Sequence, residues 1–301
     1  MPVAARRISH LNINCTDLER SLAFYRDLVG LEPFVRTAPT EPQPGAAFGL
    51  DRVQWDAWIL RGDTSDRAVV LDLLQWIVPP PVGGAATDPT TTGFNRIACT
   101  TPDLDAAYRR MVDAGVTCWS PPHPLQLGDG GTARMFICLD PDGTQVELVE
   151  GRGTGLSHVA VNCADHDRSL AYYRDVMNLQ VVAELTFPRQ PGTPFGLAGD
   201  VELRSTLLRD ERSRFMVELL DWTTPEVQPR PAPATNQLGI FRLAWVTRDI
   251  EADHRALAGH GITTFSPPAR VEMGPGVDDL QAIFWGDPDG ACNEIIQTGP
   301  V

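Results

Sequence analysis

Residues 7–14, RISHLNIN, alternate apolar and polar side chains, the period-two pattern of a half-buried strand. Asp17 follows, a residue whose carboxylate can accept from the free amides of a first helical turn. LERSLAFYRDLVG then places Leu18, Leu22 and Tyr25 on one helical face, and Gly30 is positioned to end the helix. LEPFVR reads as a second strand. TAPTEPQPGAAFGL, residues 37–50, reads as a Pro- and Gly-rich loop, and VQWDAWILR and RAVVLDLLQW read as two more strands around a GDTS turn. Residues 7–78 therefore predict β-α-β-β-β. PPPVGGAATDPTTT has no pattern of its own and reads as a linker or rim loop. The cycle then recurs over 92–150: a strand in GFNRIACT, a helix capped by Asp103 and ending before Gly115, and strands near 116–119, 132–139 and 144–150, with DPDG at 140–143 as the last turn.

The second half repeats the first. GLSHVAVNCADHDRSLAYYRD restates RISHLNINCTDLERSLAFYRD, so that His10 and His158, Asn14 and Asn162, Asp17 and Asp165, and Tyr25 and Tyr173 each differ by 148. QPGTPFGL at 190–197 echoes QPGAAFGL at 43–50, FMVELLDW echoes VVLDLLQW, TFSPP echoes CWSPP, and DPDG returns at 287–290. A repeat of this kind fixes the architecture before any single element does. The expected fold is α+β: four βαβββ modules in two tandem domains, 1–153 (modules 7–78 and 92–150) and 154–301 (modules 155–222 and 238–298), each sheet curled into a cup.

Period-two alternation also sorts side chains by face. His10, Asn12 and Asn14 share one, as do His158, Ala160 and Asn162. Val70, Asp72, Leu74 and Trp76 share another, matched by Met216, Glu218, Leu220 and Trp222. Glu147 and Glu294 each fall five residues after the second Asp of a DPDG turn. With the helix side taken up by the apolar core, the opposite face is expected to be a concave floor of His, acid and Trp. Trp beside carboxylates is costly to leave in water, which favours a pocket over a solvated face.

Composition narrows the partners. Lys plus Arg is 25 against 39 Asp plus Glu, a net charge of −14, which argues against nucleic acid or an anionic membrane. No segment approaches the roughly 18 apolar residues of a membrane helix. MPVAARRISH has no apolar core, so no signal peptide is expected. The six cysteines, Cys15, Cys99, Cys118, Cys138, Cys163 and Cys292, form no C-x-x-C pair and are expected to be small buried hydrophobes in a reducing cytoplasm. His166, His254, His123 and His260 are expected at the surface. Asp142 and Asp289 are expected to serve their own turns. No Ser-His-Asp order, phosphate loop or dinucleotide fingerprint is present.

The modules, the strand His seven residues before a capping Asp, and the DPDG hairpin with Glu five residues on resemble the vicinal oxygen chelate superfamily, which includes glyoxalase I, bleomycin-resistance proteins and extradiol dioxygenases. The resemblance runs from about residue 7 to 298. It implies paired modules, either neighbours or one with four and two with three, each cup receiving one odd and one even module. It also implies ligand positions on the first and last strands: His10 and Asp72, His158 and Glu218, Glu147, Glu294, and the residues seven before Asp103 and Asp249. Those last two are Arg96 and Arg242. A guanidinium has five donors and no lone pair to give a cation, and its natural partner is a carboxylate. The Arg is therefore expected to fill the place of the metal, leaving no cofactor. The other possibility is a divalent ion on His158, Glu218 and Glu147 or Glu294.

The resulting expectation is a cytoplasmic tailoring enzyme, monomer or homodimer, acting without a metal on an apolar or aromatic oxygen-bearing metabolite of polyketide type. His10 or His158 would carry the proton, with Glu147, Glu218 or Glu294 orienting it, Arg96 or Arg242 stabilising an oxyanion, and Asp72 a further catalytic candidate. Trp76, Trp222, Asn14, Asn162, Phe48 and Phe195 are the expected ligand contacts, the two Phe on lid-like QPGxxFGL loops. The alternatives are a drug-sequestering resistance protein and a metal-dependent glyoxalase or dioxygenase.

Overall fold

The computed structural model describes residues 3–5, 7–62, 68–126 and 132–299; beyond Gly62 the expected GDTS turn lies outside them. The modules assemble crosswise. One sheet runs in the order Ala269–Val271, Leu280–Gly286, Cys292–Thr298, Gly239–Val246, Arg7–Asn14, Val70–Val78, Arg52–Arg61 and Glu32–Thr37, with Gln43–Pro44 paired to Arg52–Arg61. The other runs Gln180–Pro191, Asp200–Arg209, Met216–Thr224, Gly155–Asn162, Gly93–Thr101, Gln145–Glu150, Thr132–Leu139 and His123–Gln126. Module one is thus joined to module four, and module two to module three. The joints are antiparallel pairs between first strands, Arg7–Asn14 with Gly239–Val246 and Gly155–Asn162 with Gly93–Thr101.

Each first strand leads into a helix as its capping residue requires. Asp17, Asp103, Asp165 and Asp249 accept from the amides of Arg20, Ala106, Arg168 and Ala252. The helices Leu18–Ala23 and His166–Ala171 run on into π-helical turns, Phe24–Val29 and Tyr172–Val176. Gly30 closes the first at φ 96°, a left-handed conformation that favours glycine. Leu18, Leu22 and Tyr25 are buried as their spacing predicts, in a core that draws residues from all four modules. Two smaller apolar clusters fill the cups, one from modules one and four and one from modules two and three.

The DPDG turns do more than turn. Asp140 and Asp287 serve the turn itself, accepting from the amides of Asp142 and Thr144, and of Asp289 and Ala291. Asp142 instead reaches module one, accepting from Thr16 N at 3.0 Å and Arg20 Nη2 at 2.7 Å. Asp289 likewise accepts from Ala164 N at 2.9 Å and Ser169 Oγ at 2.6 Å in module three. The tyrosines of the repeat complete each clasp, Tyr25 Oη donating to Asp140 at 2.9 Å and Tyr173 Oη to Asp287 at 2.7 Å. Burial pushes the Asp287 carboxyl up to about 7. Neighbouring modules, split between two sheets, are held together by these contacts. The strand expected near 116–119 shrinks to a single bridge, Cys118 opposite Cys138, and the edge strand is His123–Gln126, beyond Pro121 and Pro122.

Candidate functional site: two unequal cups

Strict alternation would put Ile8 and His10 on one face. A register shift between Ile8 and His10 turns Ile8 into the core and His10 into the cup. Leu156 and His158 show the same shift. Strand register then aligns two rows across the floor of the first cup. His10 lies opposite Ala244, which lies opposite Glu294, and Asp72 lies opposite Asn12, which lies opposite Arg242. The second cup has the rows His158–Ala98–Glu147 and Glu218–Ala160–Arg96. Alanine in the middle of the His–Glu row lets the longer side chains on either side meet over it.

In the first cup Arg242 Nε donates to Glu294 Oε2 at 2.7 Å and Arg242 Nη2 to Asp72 Oδ2 at 2.8 Å. Asn12 Nδ2 adds a bond to Asp72 Oδ2 at 3.1 Å, and His10 Nε2 stands 3.0 Å from Glu294 Oε2. The Arg242 guanidinium lies over the Phe241 and Phe284 rings, at 4.9 and 5.7 Å. Ser9 Oγ donates to Ala244 O at 3.2 Å and so has a lone pair for His10 Nδ1 at 3.2 Å, which assigns the Nδ1 proton. Burial alone would raise the Glu294 carboxyl; the Arg242 charge and His10 outweigh it and hold it low.

The second cup repeats this with Arg96 Nε to Glu147 Oε2 at 2.5 Å and Arg96 Nη2 to Glu218 Oε2 at 2.9 Å. His158 Nε2 is 3.8 Å from Glu147 and 3.6 Å from Glu218. Ser157 Oγ takes the place of Ser9, 3.1 Å from His158 Nδ1. Burial disfavours charge on His158, but Glu147 and Glu218 prevail and its pKa is raised. Burial likewise opposes ionisation of Glu147, yet Arg96 and His158 bring it down to about 2.

The cups part company in what their polar atoms find. In the second, Arg96 Nη1 donates to Asn95 Oδ1 at 3.2 Å and Ser205 Oγ donates to Glu218 Oε1 at 2.7 Å. The first cup has Phe241 and Ala57 at those positions, with no polar atom to offer. Arg242 Nη1, Asp72 Oδ1, Asn12 Oδ1 and His10 Nε2 are buried there without a hydrogen-bond partner, whereas no such atom occurs on Arg96, Glu147, His158 or Glu218. Buried polar groups are ordinarily paired, so this cluster distinguishes the first floor from the second. Above them lies a cavity of about 200 Å³, walled by Phe34, Phe48, Trp55, Ile59, Met273 and Leu280; the second cup's measures about 100 Å³.

His10, Asp72, Arg242, Glu294 and Phe48 border the first cavity, and His158, Glu218, Arg96, Glu147 and Phe195 the second. Four expected contacts fall elsewhere. Trp76 packs edge-on against Phe48, Trp55 and Phe241 beyond the end of the cavity. Trp222 packs on Phe195 and donates to Asn162 Oδ1 at 2.9 Å. Asn14 Nδ2 is spent on Thr235 O and Gln237 O, and Asn162 Nδ2 on Pro89 O and Thr91 O, pinning the inter-module linkers. Trp55, opposite Trp76 on the neighbouring strand, is the Trp that borders the ligand space. Ser9 and Ser157 were also missed, although the repeated Ser-His pair signalled them. Ser205 and Asn95 lie outside the repeats compared above, and their partners are set by the fold.

Among the described residues, one group of three donors, Glu147, His158 and Glu218, has its ligand atoms within 4.8 Å of one another. Glu294, the expected alternative to Glu147, belongs to the other cup, beside His10. Distance alone would admit a divalent ion. The chemistry does not fit: Arg96 donates to Oε2 of both carboxylates, the same oxygens nearest His158, and would set a fixed positive charge against the ion.

A model of the Glyoxalase/Bleomycin resistance protein/Dioxygenase superfamily matches residues 7–148 and again 155–295. The chain is similar to lactoylglutathione lyase GLX1 of Arabidopsis thaliana, 24% identical over 65% of this chain and 63% of that one, so it spans less than two thirds of that relative. It is also similar to lactoylglutathione lyase of Schizosaccharomyces pombe, 24% identical over 72% and 73%. Glyoxalase I from Zea mays has a TM-score of 0.67 at 18% identity, covering 97% of this chain and 92% of that one. A putative dioxygenase from Bacillus subtilis has a TM-score of 0.61 at 15% identity, covering 98% and 86%. These two likenesses show the fold.

Proposed function

The chain belongs to the Glyoxalase/Bleomycin resistance protein/Dioxygenase superfamily, and on that premise we propose that it is a metal-independent enzyme working in its first cup. Its substrate is a small apolar or aromatic oxygen-bearing compound of polyketide-type secondary metabolism, and its chemistry is proton transfer. The supporting observation is that Arg242 Nη1 and Asp72 Oδ1 are buried without a hydrogen-bond partner on residues that, with His10, border an apolar cavity. An engineered cavity of about 150 Å³ takes benzene, so the first cup suits a compound of one or two rings. His10 Nε2 carries the proton, near Glu294 but without hydrogen-bond alignment to it. Arg242 Nη1 holds an oxygen that gains negative charge, and Asp72 Oδ1 accepts from a hydroxyl of the substrate. Phe48 and Trp55 hold the ring. The second cup is the structural copy.

The experiment is exchange of acidic C–H protons for deuterium in phenolic and aryl-ketone ligands, followed by NMR, with wild type and His10→Gln. Exchange that the variant loses while still binding supports the reading. Binding with no exchange in wild type points to a sequestering protein. One tightly held divalent ion per cup, found by elemental analysis of the purified protein, overturns the metal-independent part.

A further inference from the structure

Five of the six cysteines are buried, and Cys118 is partly exposed. Cys118 stands opposite Cys138 in an antiparallel bridge. Trp119 N donates to Ile137 O and Leu139 N to Thr117 O, both at 2.9 Å, so the ladder bonds flank the pair instead of joining it. In such a pair the Cα atoms stand about 4.5 Å apart, within the roughly 4.4–6.8 Å that a disulfide spans. As the side chains stand, Cys118 Sγ donates to Val116 O at 3.8 Å and Cys138 Sγ to Val146 O at 3.5 Å. The corresponding residues of module four are Thr264 and Trp285, so the pair belongs to the second cup's half alone.

We propose that Cys118 and Cys138 are a thiol–disulfide site, Cys118 reacting with a peroxide and Cys138 resolving the product. The Cys118 thiolate attacks the O–O bond, leaving a sulfenic acid and releasing hydroxide. The Cys138 sulfur then displaces the sulfenic oxygen, which leaves as water. Two thiols lose two electrons and two protons, and one hydrogen peroxide becomes two waters. The chemistry divides accordingly. Cys118 is the more exposed thiol and its pKa is lowered beside Cys138, while Cys138 is buried and its pKa is raised by Cys118 and by that burial. Cys15, Cys99, Cys163 and Cys292 are buried, with thiols pushed up by that burial, which makes them inert.

The bond would reach the second cup through Trp119. That side chain lies against Gly196, where a Cβ would come within 2.8 Å of Trp119 Cε2. Gly196 closes the turn Thr193–Phe195, and Phe195 borders the second cavity. Fixing Cys118 therefore fixes the brace behind that turn.

The test is hydrogen peroxide treatment of the native full-length protein, then peptide mapping without reductant. The expected product is a Cys118–Cys138 linkage lighter by two hydrogens, about 2 Da, and reversed by dithiothreitol. Cys118→Ser abolishes it, and Cys138→Ser leaves a Cys118 sulfenic acid that dimedone traps. Melting of each reduced variant shows whether it folds; Cys118→Ala, at the partly exposed position, serves if Cys138→Ser does not. Hydrogen exchange at residues 193–197 is expected to slow on oxidation of wild type only. Peroxide that takes Cys118 to sulfinic acid with no linkage, links other cysteines, or leaves both thiols intact overturns the proposal.

Discussion

The first cup has Phe241 and Ala57 where the second has Asn95 and Ser205, and those two positions give Arg96 Nη1 and Glu218 Oε1 the side-chain partners that Arg242 Nη1 and Asp72 Oδ1 lack. The His, the Arg and the carboxylates are otherwise laid out alike, with Asp72 one methylene shorter than Glu218. The shorter acid accompanies the larger cavity, about 200 against 100 Å³. The duplicated floors diverge here through the residues beside the charged groups, since these decide whether a neighbouring side chain supplies a hydrogen bond.

Four experiments would break or sharpen that contrast. Largest is loss of the proton carrier. His10→Gln is expected to cut turnover by about 10²–10⁴-fold, and His158→Gln by less than about threefold, both read from initial rates; equal losses would make the cups equivalent. Next is removal of a buried cation. Arg96→Ala leaves Glu147 and Glu218 facing each other and is expected to cost about 3–5 kcal/mol in denaturant unfolding. Arg96→Gln, by freeing the Oε2 atoms near His158, is expected to gain zinc binding in calorimetry that wild type lacks. Third is exchange of the satisfying residues. Ala57→Ser with Phe241→Asn should close the first floor and weaken ligand binding by about 10-fold, one to two unmatched polar groups being worth about 1–3 kcal/mol. Ligand affinity unchanged by the pair would remove the distinction between the floors.

Smallest is the response to pH. The His158 pKa is raised above its ordinary 6.5, so its stabilisation is complete below 6.5 and is lost as pH rises through the raised value. Glu147 is depressed from 4.5 to about 2, so its share is present above 4.5 and is lost as pH falls toward 2. The melting difference between wild type and His158→Gln should be widest between these limits and narrow above them, by a shift on the order of 2 °C. A difference that grows with alkalinity would refute the assigned ion pair.

Much of this was legible before any coordinates. The spacing of 148 between His10 and His158 announced the duplication, and the capping aspartates located the α-helix of each module. Arg96 and Arg242 at ligand positions led directly to the Arg–Glu pairs. Alternation failed for Trp76 and Trp222, because sharing a face says nothing of distance along it. Both lie past the end of the cavity, four residues on from the acids. It failed for Asn14 and Asn162 because linker carbonyls, remote in sequence, claim their amides. Asp142 and Asp289 grip another module for the same reason, a contact over more than 100 residues that no local pattern encodes.

By itself the sequence determined the modules, the helix caps and the kinds of residue on each floor, because period, capping chemistry and repetition are local properties of a chain. Only the tertiary structure decided that module one pairs with four and two with three, that a bulge turns His10 inward, and that Arg96 and Glu218 find side-chain partners which Arg242 and Asp72 do not. Those outcomes depend on which strands lie side by side and on what stands across from each buried polar atom. Neighbourhoods of that kind come into being when distant segments pack, and they are absent from the order of residues along the chain.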